Sequence, residues 1–124
     1  MIPIMDKTLM FAGALLGGVG VAIGAFGAHG LRGRLSPEML AVFETGVRYH
    51  MYHALAILAT AALLPRLDGR AVLIAGWSFM AGIVLFSGSL YALALSGVTT
   101  LGAITPLGGV AFLVGWISLA VAAF

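Results

Sequence analysis

TLMFAGALLGGVGVAIGAFGA, residues 8–28, runs without one charged side chain. An apolar stretch of this length matches the roughly 20 residues a helix needs to cross a hydrocarbon core about 30 Å thick. It closes at His29-Gly30-Leu31-Arg32-Gly33-Arg34, where glycine and arginine return together. Inside it Gly13, Gly17, Gly20, Gly24 and Gly27 recur at alternating spacings of four and three, which puts all five on one stripe of a helix. Such a stripe lets a second backbone come close, either across a helix dimer or, more commonly, inside the chain's own bundle.

The same pattern extends along the chain. Hydrophobic residues make up 62% of it and charged residues 8%, far from the quarter charged that a water-soluble domain carries. The spans expected are about 8–29, 37–64, 71–96 and 101–123, an all-α integral membrane bundle of four transmembrane helices in a single domain, 1–124, with no soluble domain left over. The partner expected first is the lipid bilayer. Ala25-Phe26-Gly27 resembles a small-residue cleavage site, but the apolar run exceeds an ordinary signal core, so the first span reads as uncleaved. Six basic and four acidic residues give a formal charge of +2, too sparse for the clustered basic face of a nucleic-acid binder. The chain has no cysteine, which removes disulfides, iron–sulfur clusters and thiolate metal sites.

The second helix announces its start. Ser36 suits the cap, Pro37 the first helical position, and Glu38 the positive end of the helix dipole. Running to Leu64, before Pro65, it would be about 42 Å long, longer than the apolar core, so its first turns lie in the interface. Counting about 20 residues back from Leu64 puts Thr45 near the boundary and Arg48, Tyr49, His50, Tyr52 and His53 progressively deeper. On a helical wheel Glu44, Thr45, Arg48, Tyr49, Tyr52, His53 and Thr60 fill about half the circumference, opposite Leu40, Phe43, Val47, Met51 and Leu58. The polar half is expected to face protein or water, with Glu44 and Arg48 spaced as a favourable helical ion pair.

The third run, from Ala71, is closed by Ser96-Gly97. The fourth begins at Leu101 and carries Pro106 and Gly108-Gly109, signals of an irregular start or a kink. Lys7, Arg66 and Arg70 fall on one side of a four-span chain and Arg32 and Arg34 on the other, a three-to-two count that favours both termini in the cytoplasm and becomes a tie when Arg48 is added to the second side.

These polar residues admit two site readings. His29, Glu44, Arg48, Tyr49 and His53 form a candidate polar site for an anionic head group, a proton or a small metabolite; the plainer alternative is a neutralised ion pair in the interface beneath an aromatic belt. His50 and His53 stand about 60° apart on the wheel, with no cysteine or second acidic cluster to complete a ligand set, so neither a metal nor any other cofactor is expected. Ser78, Ser87, Ser89, Tyr91 and Thr105 read as hydroxyls that bond backbone or neighbouring helices. No nucleophile comes with a base and an orienting acid, so no catalytic residues are assigned and the chain is not expected to be an enzyme.

Four ordered strings carry a family resemblance: Gly24-Ala25-Phe26-Gly27-Ala28-His29-Gly30-Leu31; Thr45-Gly46-Val47-Arg48-Tyr49-His50-Met51-Tyr52-His53-Ala54-Leu55; Leu85-Phe86-Ser87-Gly88-Ser89-Leu90-Tyr91; and Thr105-Pro106-Leu107-Gly108-Gly109 with Gly115-Trp116. Over nearly its whole length the chain resembles the small membrane proteins grouped as domain of unknown function 423, or UPF0382, relatives of transmembrane protein 256. The resemblance implies a small multi-span protein, in bacteria of the inner membrane, and brings no activity with it. It also implies glutamine as the usual occupant of position 50, from which His50 departs. The leading expectation is a packing or accessory partner, in a homo-oligomer or a larger membrane complex; the alternative is a small-molecule, lipid or ion-binding transporter working through the polar face of helix two.

Overall fold

The structure, a computed structural model, describes residues 2–124, with side chains from residue 5 onward. Four helices run up and down in chain order: α1 (Ile2–Gly30), α2 (Pro37–Leu63), α3 (Gly69–Ser96) and α4 (Thr105–Val121). Each boundary has a local cause. Ser36 accepts a hydrogen bond from the Met39 amide at 3.1 Å, and Pro37 and Glu38 occupy the first turn of α2. Asp68 caps α3 by accepting from the Arg70 amide at 3.1 Å. Gly97, at φ +74°, ends α3 in the left-handed conformation that costs glycine little. The irregular start expected of the last helix is a 3-10 turn, Thr99–Ala103, after which Pro106 falls in the first turn of α4 and bends nothing.

Close packing comes from glycines seated against larger side chains on the next helix. All five glycines of the α1 stripe face α2: Gly13 lies against Leu58, Gly17 against Ala54, Gly20 against Met51 and His50, Gly24 against Val47, and Gly27 against Phe43. The reversed numbering makes the pair antiparallel. The stripe is therefore consumed inside the bundle, and any contact with another molecule uses a different face. The same device joins the other helices. Gly46 of α2 receives the ring of Tyr91, while on the α3–α4 seam Gly82 meets Phe112, Gly115 meets Phe79 and Gly108 meets the backbone of Phe86. The largest apolar cluster, Leu9, Ala56, Ile57, Ala61, Ala75, Phe79, Ile83 and Phe112, lies between these seams.

Within α3 the helix changes pitch at a place the hydropathy pattern does not mark. Residues Ile83–Ser87 form a π-turn, set between two stretches of α-helix. The turn inserts one extra residue and re-aims the side chains from Gly88 onward.

Among the described residues three stretches are long and apolar enough to cross a membrane: Met5–Gly30, Gly69–Ser96 and Thr99–Val121. α2 is long enough but carries Arg48, His50 and His53 in its apolar half. It packs along α1 and α3 and reaches α4 through its side chains.

Candidate functional site

The two histidines of α2, three residues apart, are both buried and point to different neighbours. His50 Nε2 lies 2.7 Å from the Leu16 carbonyl of α1, and its Nδ1 lies 2.9 Å from the Tyr91 hydroxyl of α3. A carbonyl only accepts, so Nε2 carries the proton, and Tyr91 donates to Nδ1. Gly20 explains the access: a Cβ there would stand 3.1 and 3.2 Å from the His50 ring, closing the approach to the carbonyl one turn back.

His53 has the opposite tautomer. Its Nδ1 donates to the Tyr49 carbonyl at 2.7 Å, and its Nε2 accepts from Trp116 Nε1 at 3.0 Å, because an indole nitrogen only donates. The imidazole stacks on Phe112 with centroids 3.6 Å apart and planes 8° from parallel. Phe79 and Phe86 complete an aromatic cluster around Tyr49, His53, Phe112 and Trp116. Sequence reasoning missed the part played by Phe112 and Trp116. The available signal was a tryptophan well inside the last apolar run, away from the interfacial belt where this residue gathers.

Of the five hydroxyls expected to bond backbone or neighbouring helices, Ser87, Ser89, Tyr91 and Thr105 do so among the described residues and Ser78 does not. Ser87, in the π-turn, donates to the Gly46 carbonyl of α2 at 2.6 Å. Ser89 donates to Phe86 O at 2.9 Å, so the 2.7 Å bond between Ser89 and Thr105 has Thr105 as donor and ties α3 to the start of α4. Thr60 bonds back to Ile57 O. Among the described residues no buried side-chain nitrogen or oxygen lacks a partner. Nor is any group of three His, Cys, Asp or Glu placed to hold a metal ion. Each ring nitrogen of His50 and His53 already has a protein partner, so ligation would cost a hydrogen bond, at three of the four nitrogens one that joins two helices.

The five residues of the candidate polar site do not meet. Tyr49 and His53 join the aromatic cluster, whereas Glu44 and Arg48 are exposed on the outer face of α2, and His29, in the last turn of α1, is exposed as well. The polar half of α2 thus divides. Neutral groups that complete hydrogen bonds inside, His53 and Thr60, turn inward; the two ionised ones and Tyr52 turn outward, where their heads can reach water or a partner. Glu44 and Arg48 are joined by no ion pair among the described residues. In place of a polar cavity there is an open groove of about 550 Å³ between α2 and α4, lined by Tyr49, Tyr52, His53, Leu55, Phe86, Gly109, Phe112, Leu113 and Trp116. A second open groove, about 760 Å³, runs along α3 from Arg70 past Trp77 and Ser78.

Against known proteins, residues 23–109 match the profile described as protein of unknown function (DUF423). The UPF0382 membrane protein YwdK of Bacillus subtilis is 52% identical over 118 residues, covering 94% of this chain and 96% of the relative. A UPF0382 membrane protein of Haemophilus influenzae is 47% identical over 111 residues, covering 90% of this chain and 89% of its own. SAB0533 of Staphylococcus aureus, of the same description, is 47% identical over 118 residues, covering 95% of this chain and 96% of its own. No solved structure matches. With a profile match over most of its length and relatives this similar from end to end, the chain belongs to the DUF423 (UPF0382) family of membrane proteins of unknown function.

Proposed function

We propose that this chain is a non-catalytic packing or accessory subunit of a membrane assembly, a four-span protein of the bacterial inner membrane that docks on its partner through the outer face of α2. One observation carries the reading. Glu44 and Arg48 are exposed and unpaired on that face, while the outward positions of α1, α3 and α4 are apolar, among them Phe11, Val21, Val84, Val110 and Ile117. Contacts across to α1 set the depth. Phe43 is level with Gly27 and Val47 with Gly24, so Arg48 stands about 6 Å inside the point where the apolar run of α1 ends. An ionisable group at such a depth marks an interaction by default.

The absence of an assigned reaction fits the chemistry inside. His50, His53 and Ser87 each bond to a neighbouring helix, and Thr60 bonds back to its own; the one buried hydroxyl–imidazole pair among the described residues, Tyr91 with His50, is part of such a helix–helix contact. The three-to-two count of basic residues favours both termini in the cytoplasm. Extraction from the native membrane in mild detergent, followed by native mass spectrometry, tests the reading. A discrete assembly heavier than the 12.7 kDa protomer is the expected result; a lone protomer throughout overturns it.

A second reading, binding of a lipid or small apolar molecule, rests on the aromatic groove between α2 and α4. A diazirine-bearing lipid that labels Tyr52 and Leu113 well above Val84 would support it, and even labelling of all three would remove it.

A further inference from the structure

We propose that the outer face of α2 docks on the same face of a second copy of this chain, across a two-fold axis along the membrane normal, with Glu44 of each copy against Arg48 of the other. The inference rests on the assembly reading and names its partner.

An interface of this symmetry uses one patch twice, so the patch must complement itself. Glu44 and Arg48 meet that condition. They lie four residues apart on one stripe, an acid one turn from a base, about 6 Å along the helix. Two parallel copies of α2 hold each residue at one depth, so Glu44 of either copy reaches Arg48 of the other along a diagonal that spans about 6 Å of height, once on each side of the axis. A patch of a single sign would repel its copy.

The charge distribution singles out this face. Arg32, Arg34, Glu38, Arg66, Asp68 and Arg70 sit in helix end turns or in connections, and Asp6 and Lys7 in the second turn of α1, ahead of its uncharged run. Among the described residues Arg48 stands on an outer face within the apolar band, and Glu44 stands one turn away at its edge. Below them the stripe continues through Tyr52, Leu55, Ala59 and Ala62, all exposed, at spacings of three and four that hold one line down the helix. The alanines let the two backbones converge at that end. Tyr52 and Leu55 also border the groove beside α2, which leaves room for the facing Tyr52.

The chain has no cysteine, so a single introduced one reports cleanly. In native membranes Leu55→Cys is expected to form an oxidised dimer, and Val21→Cys, on the exposed face of α1, to give only the collisional background. On the Leu55→Cys chain, Glu44→Arg alone or Arg48→Glu alone sets like charges across the axis and lowers the dimer yield about tenfold, as loss of about 1.4 kcal/mol does. The double exchange Glu44→Arg with Arg48→Glu restores it. That rescue separates pairing between copies from misfolding, since it changes the same two positions.

Equal yields from Leu55→Cys and Val21→Cys, insensitivity to single reversals, or failure of the double exchange to rescue overturns the inference. Native mass spectrometry of the same membranes separates this from failure of the wider reading. If the wild-type chain associates with other proteins and single reversals release those, assembly stands and the second copy falls. If the wild-type chain is a lone protomer, both fall.

Discussion

His50 joins three helices with one ring, and a substitution that preserves a donor and an acceptor should preserve that junction. Glutamine offers both: its amide nitrogen donates toward the Leu16 carbonyl and its oxygen accepts from Tyr91, the two bonds that the neutral imidazole makes. His50→Gln is therefore expected to leave stability nearly unchanged. His50→Leu removes both bonds and leaves the Tyr91 hydroxyl without its acceptor. Hydrogen bonds between membrane helices are modest, so the expected loss is about 1–2 kcal/mol, read as an earlier midpoint when helicity is followed through a denaturing-detergent titration. Equal midpoints for the leucine and glutamine variants would show that the ring acts by volume alone. The wheel correctly marked His53 as polar. It had no means of separating His53 from Arg48, because what draws the imidazole inward is the Trp116 indole on another helix. A single-helix pattern does not contain its neighbour's donors.

At the scale of the elements, the glycine spacing of α1 announced a close seam, and the partner face on α2 supplies its fillers. Gly108 and Gly109 show how much further three dimensions must go. They are adjacent and identical in sequence, yet a Cβ on Gly108 would strike the Phe86 backbone, whereas one on Gly109 would meet nothing within 4 Å. Backbone atoms in a packed helix do not yield as the end of a side chain does. Gly108→Ala is expected to cost about 1–3 kcal/mol by overpacking. Gly109→Ala is expected to be neutral or stabilising by up to about 1 kcal/mol through helix propensity. The same detergent titration ranks them, and a reversed order would mean that the α3–α4 seam does not run over Gly108. The π-turn lay beyond sequence reasoning for a related reason. Hydropathy registers that Ile83–Ser87 is apolar but carries no count of residues per turn, and Gly82 and Gly88, which flank it, are equally at home in a straight helix. Its consequence is visible only in the bond from Ser87 to Gly46.

For the whole molecule the critical element is α2, because the other helical stretches are apolar enough to cross by themselves and it is not. An isolated helix with an arginine at the bilayer centre is penalised by about 2.5–3.5 kcal/mol on insertion scales. Here Arg48 lies nearer one end, and the histidines reach the membrane with hydrogen bonds already supplied by Leu16, Tyr91, Tyr49 and Trp116. Those bonds lower the cost of placing α2 across the bilayer, and the proposed four-span topology puts the α1–α2 and α3–α4 connections on one side and the α2–α3 connection on the other. Single cysteines at His29, Thr100 and Pro65, all exposed, test this without altering the lysine and arginine count that sets orientation. In intact cells a membrane-impermeant thiol reagent is expected to label His29→Cys and Thr100→Cys, with Pro65→Cys labelled only after the membrane is opened, given both termini in the cytoplasm. The converse pattern would keep four crossings and invert the orientation. Labelling of His29→Cys and Pro65→Cys from the same side would mean that α2 does not cross, and its outer stripe would then lie against the membrane surface rather than against a partner helix within it.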